Sequence, residues 1–178
     1  MERIRLAVVV GSTREGRFGP TVAHWFAGFA ARRPDVEVDV VDLLEPGVPG
    51  PRFSAAIDAA DGVVVVTPEY NHSFPGPLKT AIDTLWPEWH AKPVAFVSYG
   101  GISGGLRAVE PLRGVFAELH AMTIRETVSF AGASAAFDAD GNPKETDAVE
   151  TAAERLLDQL LWWADALRTA RATRPYAA

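Results

Sequence analysis

The hydrophobic positions of this chain switch repeatedly between two periods. Val63 to Val66 is an unbroken β-branched run, which suits a central strand buried on both faces of a parallel sheet. Ile4 to Val10 and Val94 to Ser98 are further short apolar runs, and Met122 to Phe130 predicts a fifth strand. Val36 to Val41 alternates valine with acidic residues before a second valine, the pattern of a more exposed strand nearer a sheet edge. Between these runs, apolar residues fall at spacings of three and four. Val22, Trp25, Phe26 and Phe29 follow a Gly19-Pro20 start that suits a first helical turn, because the amide hydrogen proline lacks has no partner there anyway. Phe53 to Ala60 and Pro75 to Leu85 predict two shorter helices, and Leu106, Val109, Leu112, Val115, Phe116 and Leu119 a longer one. A last helix carries Val149, Ala152, Leu156, Leu160, Trp163 and Leu167, with Thr146 or Asp147 as its cap. Strands and helices alternate five times with short links. The expected fold is therefore α/β, a three-layer sandwich in which a parallel sheet is covered on both faces, forming one domain over residues 1–178.

Composition narrows the partners. The chain has 178 residues, is 48% hydrophobic and 22% charged, and carries a formal net charge of -6, so it has no electrostatic reason to seek nucleic acid or an anionic membrane. It has no cysteine, which removes disulfides, thiolate metal sites and a cysteine nucleophile. Met1-Glu2-Arg3 leads directly into the first strand with no apolar stretch long enough for a signal or membrane helix, so the expected location is cytoplasmic.

Three loops follow the first, third and fourth strands. In the strand order 2-1-3-4-5 those strands are neighbours and the loops converge at the carboxyl edge, where ligands of open α/β sheets bind. The first loop, Gly11-Ser12-Thr13-Arg14-Glu15-Gly16-Arg17-Phe18-Gly19-Pro20, runs into a helix N-terminus. The hydroxyls of Ser12 and Thr21 and the guanidinium groups of Arg14 and Arg17 add to the amide hydrogens there, which outlines a phosphate site. Arg17 and Phe18 stand where a P-loop needs lysine and a magnesium-binding hydroxyl, and Thr13 occupies the second glycine of a dinucleotide fingerprint. A mononucleotide with a terminal phosphate fits better. Tyr70 and Asn71 offer an aromatic face and amide groups to the rest of such a ligand, and Gly100 and Gly101 let backbone approach a flat ring.

Gly11 to Arg14, Pro68-Glu69-Tyr70-Asn71-His72-Ser73-Phe74-Pro75-Gly76-Pro77-Leu78-Lys79 and Ser98 to Gly105 together resemble the NAD(P)H-dependent FMN reductases, over about residues 4–120. The middle segment is the most specific. The resemblance implies a flavodoxin-like fold with sheet order 2-1-3-4-5, bound FMN, NADPH or NADH as reductant, and a small-molecule electron acceptor such as a flavin or quinone. It also implies an FMN phosphate held through Ser12, Arg14, Gly19 and Thr21, with Arg17 standing where relatives often carry a small polar residue. Pro68, Glu69, Tyr70 and Asn71 would line the isoalloxazine ring, with Gly100, Gly101 and Ser103 closing the other side. Homodimers or homotetramers are implied too, with Glu69 and the following helix near a subunit interface. Because the flavin carries the hydride, no side chain is assigned as acid or base.

Other readings compete. Gly101-Ile102-Ser103-Gly104-Gly105 matches a serine-hydrolase elbow, yet His120 is the only histidine after Ser103 and no aspartate lies between them. Asp138-Ala139-Asp140-Gly141-Asn142 departs from a calcium loop and reads as a surface turn. His24, His72, His90 and His120 lack metal-ligand spacing, so no metal is expected, and Trp86, Trp89, Trp162 and Trp163 read as core or subunit contacts. A flavodoxin-like electron carrier or binding domain is the non-enzymatic alternative, against which a basic first loop and a nearly neutral second one weigh.

Overall fold

The structure, a computed structural model, describes residues 3–177. Met1 and Glu2, read above as leading into the first strand, lie outside the described residues. Strands β1 (Ile4–Val10), β2 (Val36–Asp42), β3 (Gly62–Pro68), β4 (Pro93–Gly100) and β5 (Met122–Ala131) form one parallel sheet in the order β2-β1-β3-β4-β5. Helices α1 (Gly19–Ala30) and α6 (Thr146–Thr173) cover one face, while α2 (Pro51–Ala59), α3 (Gly76–Asp83) and α4 (Leu106–Glu118) cover the other. A four-residue helix, α5 (Ala133–Ala136), follows β5. No helix among the described residues is long and apolar enough to cross a membrane.

The valine run of β3 explains the layering. All seven residues of this strand are buried, because each of its faces meets a helical layer. Val64 and Val66 pack with Leu6, Val8, Phe26 and Leu160 on one side, and Val63 and Val65 with Phe53, Leu78, Phe96 and Phe116 on the other. Each such side chain contributes about 1.5–3 kcal/mol by leaving water. Strand β2 lies at the edge, where its valines are buried or half-buried and Glu37 and Asp39 between them are exposed, as its valine and acid pattern requires.

One local expectation is corrected. Helix α6 starts at Thr146 with Glu145 in the cap position, and neither Thr146 nor Asp147 caps it through a side chain. The Thr146 hydroxyl instead donates to Pro143 O at 3.2 Å and closes the preceding turn. The tryptophans divide: Trp89 is fully buried and donates to Ile82 O at 3.1 Å, Trp163 is partly buried, and Trp86 and Trp162 are exposed.

Register decides what meets at the carboxyl edge. Val10 lies opposite Val66, Val66 opposite Val97, and Pro68 opposite Tyr99. Pairing continues into the loops through Gly11 N to Val66 O at 2.9 Å and Glu69 N to Tyr99 O at 3.1 Å. The loops after β1, β3 and β4 are thereby level with one another.

Candidate functional site: a three-loop rim at the sheet's carboxyl edge

The first corner of the rim is built on Ser12 and the N-terminus of α1. Ser12 is fully buried, and its Oγ and the Tyr99 hydroxyl from β4 both converge on Gly19. A Cβ at Gly19 would lie 2.1 Å from Ser12 Oγ and 2.9 Å from Tyr99 Oη, so glycine is required for the helix to start this close to the strand ends. The two hydroxyls are neighbours, but neither completes a hydrogen bond of ordinary geometry. Buried polar atoms are nearly always partnered, so a pair left open beside a helix N-terminus points to a ligand that supplies acceptors. Burial pushes the Tyr99 phenol up to about 12, and it stays a neutral donor at ordinary pH. The residues present fit a phosphate monoester. Thr21 stands in the first turn of α1, half-buried beside Gly141 of the β5–α6 turn.

Arg14 and Arg17, which the sequence treats alike, have different surroundings. The exposed Arg14 guanidinium lies over the Tyr70 ring, 3.5 Å from its centroid, and so ties the first loop to the loop after β3. Arg17 is already engaged: Nη1 and Nη2 reach Asp42 Oδ1 and Oδ2 at 2.5 and 2.6 Å, and Nη1 also donates to Ser12 O at 2.7 Å. Burial pushes the Asp42 carboxyl up, but the Arg17 guanidinium and the Leu44 amide outweigh it and hold it below its ordinary value. Arg17 therefore fixes the shape of the first loop from behind Ser12.

The loops after β3 and β4 are joined by Glu69. Its Oε2 accepts from Ser103 Oγ and, at 3.2 Å, from the Arg107 amide at the start of α4. The Ser103 hydrogen bond is the main cause that holds the Glu69 carboxyl below its ordinary value, so it is ionised at neutral pH. Pro68 is buried at the end of β3, and Tyr70 pairs with Ser73 across a turn formed by Asn71 and His72. Gly100 is packed between Glu69 and the Gly105 backbone, where a Cβ would lie 3.4 Å from the Glu69 side chain and a tight 3.1 Å from Gly105 N, and a Cβ at Gly101 would meet open space. Gly105 has φ +88 and a Cβ there would come within 2.7 Å of Tyr99 N, so this turn depends on glycine.

The twelve residues singled out from the sequence thus lie on the three neighbouring loops, at the strand ends that lead into them (Pro68 and Gly100) or in the first turn of α1. Asp42, Tyr99 and Arg107 are the participants that sequence reading missed. The only trace of Asp42 is that β2 ends there, opposite Val10. Ser103 is partnered by Glu69, while His120 lies beyond the far end of α4 and contacts Tyr176, 3.0 Å from its Nδ1. Among the described residues no histidine is placed to serve Ser103 as a nucleophile's base. The 138–142 segment is a turn closed by Asp138 Oδ1, which accepts from the Asp140 and Asn142 amides at 3.0 and 2.8 Å.

A three-loop rim on a parallel sheet of order 2-1-3-4-5 defines a flavodoxin-like α/β protein. Solved structures agree: the flavoenzyme NAD(P)H:(acceptor) oxidoreductase FerB from Paracoccus denitrificans superposes with a TM-score of 0.68 at 25% identity, covering 93% of this chain and 98% of that one. A flavodoxin from Pseudomonas aeruginosa shares the fold, with a TM-score of 0.60 at 21% identity over 93% of this chain and 99% of that one. The chain belongs to the NADPH-dependent FMN reductase family, whose pattern matches residues 4–135. A NAD(P)H-dependent FMN reductase of Schizosaccharomyces pombe is 37% identical over 120 residues, which is 57% of this chain and 60% of that protein's length. A quinone reductase of Escherichia coli is 35% identical over 142 residues, 70% of this chain and 76% of that one.

Proposed function

We propose that the rim binds FMN and that the protein is an NAD(P)H-dependent oxidoreductase passing electrons to a flavin, quinone or similar small acceptor. The observation that carries this reading is the meeting of three loops, distant in sequence, around two unpartnered buried hydroxyls at a helix N-terminus. Family membership and the names of the relatives support the chemistry.

In this reading Ser12, Arg14, Thr21 and the Gly19 and Thr21 amides hold the phosphate; Pro20 between them has no amide hydrogen to give. Arg17 holds the loop against Asp42 rather than holding the ligand. Pro68, Glu69, Tyr70 and Asn71 line one side of the ring, and Gly100, Gly101 and Ser103 the other. Bound FMN would supply the two-electron hydride chemistry between reduced nicotinamide and acceptor. The chain's own part is placement. Loop amides preorganised around the ring stabilise negative charge that develops on it, and the Glu69–Ser103 tie keeps the two lips at fixed spacing. No side chain needs to act as acid or base.

The protein would work in the cytoplasm, where reduced nicotinamide is supplied. A homodimer or homotetramer is part of the same reading, supported by Ile102 and Leu106, which leave an exposed apolar edge beside the rim. The test is steady-state oxidation of NADPH and NADH by FMN-loaded protein with a quinone as acceptor. Turnover that requires FMN supports the reading. Protein that takes up FMN but never oxidises nicotinamide contradicts the enzymatic part and leaves an electron carrier.

A further inference from the structure

Of the arginines on the rim, Arg17 is paired with Asp42 and Arg107 with Glu69, whereas Arg14 makes no hydrogen bond or ion pair among the described residues. An exposed arginine without a partner ordinarily samples many rotamers, and it loses that freedom when it closes on a ligand. Arg14 is instead held by its face. Its guanidinium carbon lies 3.5 Å from the centroid of the Tyr70 ring, the contact distance of two stacked planes.

The platform beneath it is pinned on both sides. Tyr70 stands two residues after β3, where the Glu69 amide still donates to Tyr99 O at 3.1 Å. Reciprocal backbone bonds between Tyr70 and Ser73, of 2.8 and 3.1 Å, close the turn that follows. The Tyr70 ring also points toward the corner built on Ser12. Burial is the main cause that raises the Tyr99 phenol, and the Tyr70 phenol lies close enough to add to it. The Tyr70 ring, the guanidinium it carries and the buried Ser12 and Tyr99 hydroxyls therefore lie at one end of the rim. Stacking uses only the face of a guanidinium, so the N–H groups along the edge of Arg14 stay free to donate. Conversely, the face of Tyr70 that Arg14 covers is closed to a flat ring.

We propose that Tyr70 is a positioning residue: its aromatic face fixes Arg14 in advance, with the edge donors free for a phosphate monoester, and only its backbone serves the ring site. The inference rests on the proposed function and deepens it, by naming what orients the cation at the phosphate end. Affinity gained this way comes from freedom given up before binding, so only a ligand that carries the phosphate feels it.

The test is equilibrium titration with FMN and with riboflavin, which has the same ring and no phosphate, of wild type, Tyr70→Leu, Tyr70→Phe, Arg14→Ala and the Arg14→Ala, Tyr70→Leu double variant. Tyr70 is half-buried and hydrogen-bonded through its backbone alone among the described residues, so these substitutions leave the turn closed. For Tyr70→Leu the FMN Kd rises about fivefold, the scale of one cation–π contact at a partly exposed site, while the riboflavin Kd stays within about twofold of wild type. Phenylalanine keeps the aromatic face, so Tyr70→Phe restores FMN binding. With Arg14 already replaced by alanine, Tyr70→Leu weakens FMN no further, because no guanidinium is left to hold. Equal losses for FMN and riboflavin make Tyr70 a ring wall and overturn the proposal, as do an unchanged FMN Kd and a loss that persists without Arg14. Each of those results, in protein that still binds FMN, leaves the proposed function standing. Wild-type protein that takes up neither flavin removes the reading beneath both.

Discussion

Replacing Asp42 with asparagine separates two roles for Arg17 by the sign of the result. Arg17 and Asp42 make a two-pronged pair of 2.5 and 2.6 Å with side chains only 16% and 17% exposed, and the same guanidinium holds Ser12 O at 2.7 Å. Exposed pairs contribute up to about 1 kcal/mol and breaking buried ones costs about 3–5 kcal/mol, so this half-buried pair should cost about 2 kcal/mol to break. For a chain of this size that corresponds to a fall of about 4–8 °C in Tm. If Arg17 shapes the loop, Asp42→Asn loosens Ser12 and the FMN Kd rises, by about fivefold for about 1 kcal/mol felt at the loop. If Arg17 contacts the phosphate directly, removing its competitor carboxylate frees positive charge and the FMN Kd falls. Fluorescence titration of FMN with both proteins reads the sign. Tighter binding by Asp42→Asn would refute the loop-shaping role.

Two further outcomes follow from the same contacts. Gly19→Ala places a methyl group 2.1 Å from Ser12 Oγ, so Tm and FMN uptake both fall; overpacking of this kind costs about 1–3 kcal/mol, and adding Ser12→Ala recovers part of the lost Tm because the nearest clashing atom is gone. Buried Lys92 is capped by the Ile57 and Asp58 carbonyls, and burial lowers its pKa from 10.5 to about 8. Between those values the unfolded chain binds more protons than the folded one, so this group makes stability rise with pH, by at most about 3 kcal/mol across the window. Urea unfolding of wild type and Lys92→Met below pH 8 and above pH 10.5 checks it: wild type should gain stability relative to the variant at the higher pH, and a constant difference would contradict the assignment.

The sheet was legible because burial on two faces leaves its mark on every residue of a strand. Val63 to Val66 could be nothing that water touches on either side, and the glycine and polar breaks after Val10, Pro68 and Ser98 marked where strands stop. The rim was legible for the same reason, since loops at strand ends of a parallel sheet share one edge. What stayed hidden depends on register and direction, which spacing along the chain does not record. Asp42 reaches Arg17 only because β2 ends opposite Val10, 25 residues from its partner. Tyr99 was read as part of a turn, but β4 runs on to Gly100 and buries its ring, leaving the hydroxyl at Gly19. Likewise the cap expected of Thr146 fails because the Gly-Asn-Pro turn before it uses that hydroxyl first.

The central claim is that the first loop and the start of α1 form a phosphate corner for a flavin mononucleotide. Riboflavin carries the same ring without the phosphate, so equilibrium titration of the protein with FMN and with riboflavin tests the claim directly. Two charge-assisted contacts at about 1.5 kcal/mol each predict FMN binding about a hundredfold tighter than riboflavin. Equal affinities for the two, or no binding of either, would contradict it.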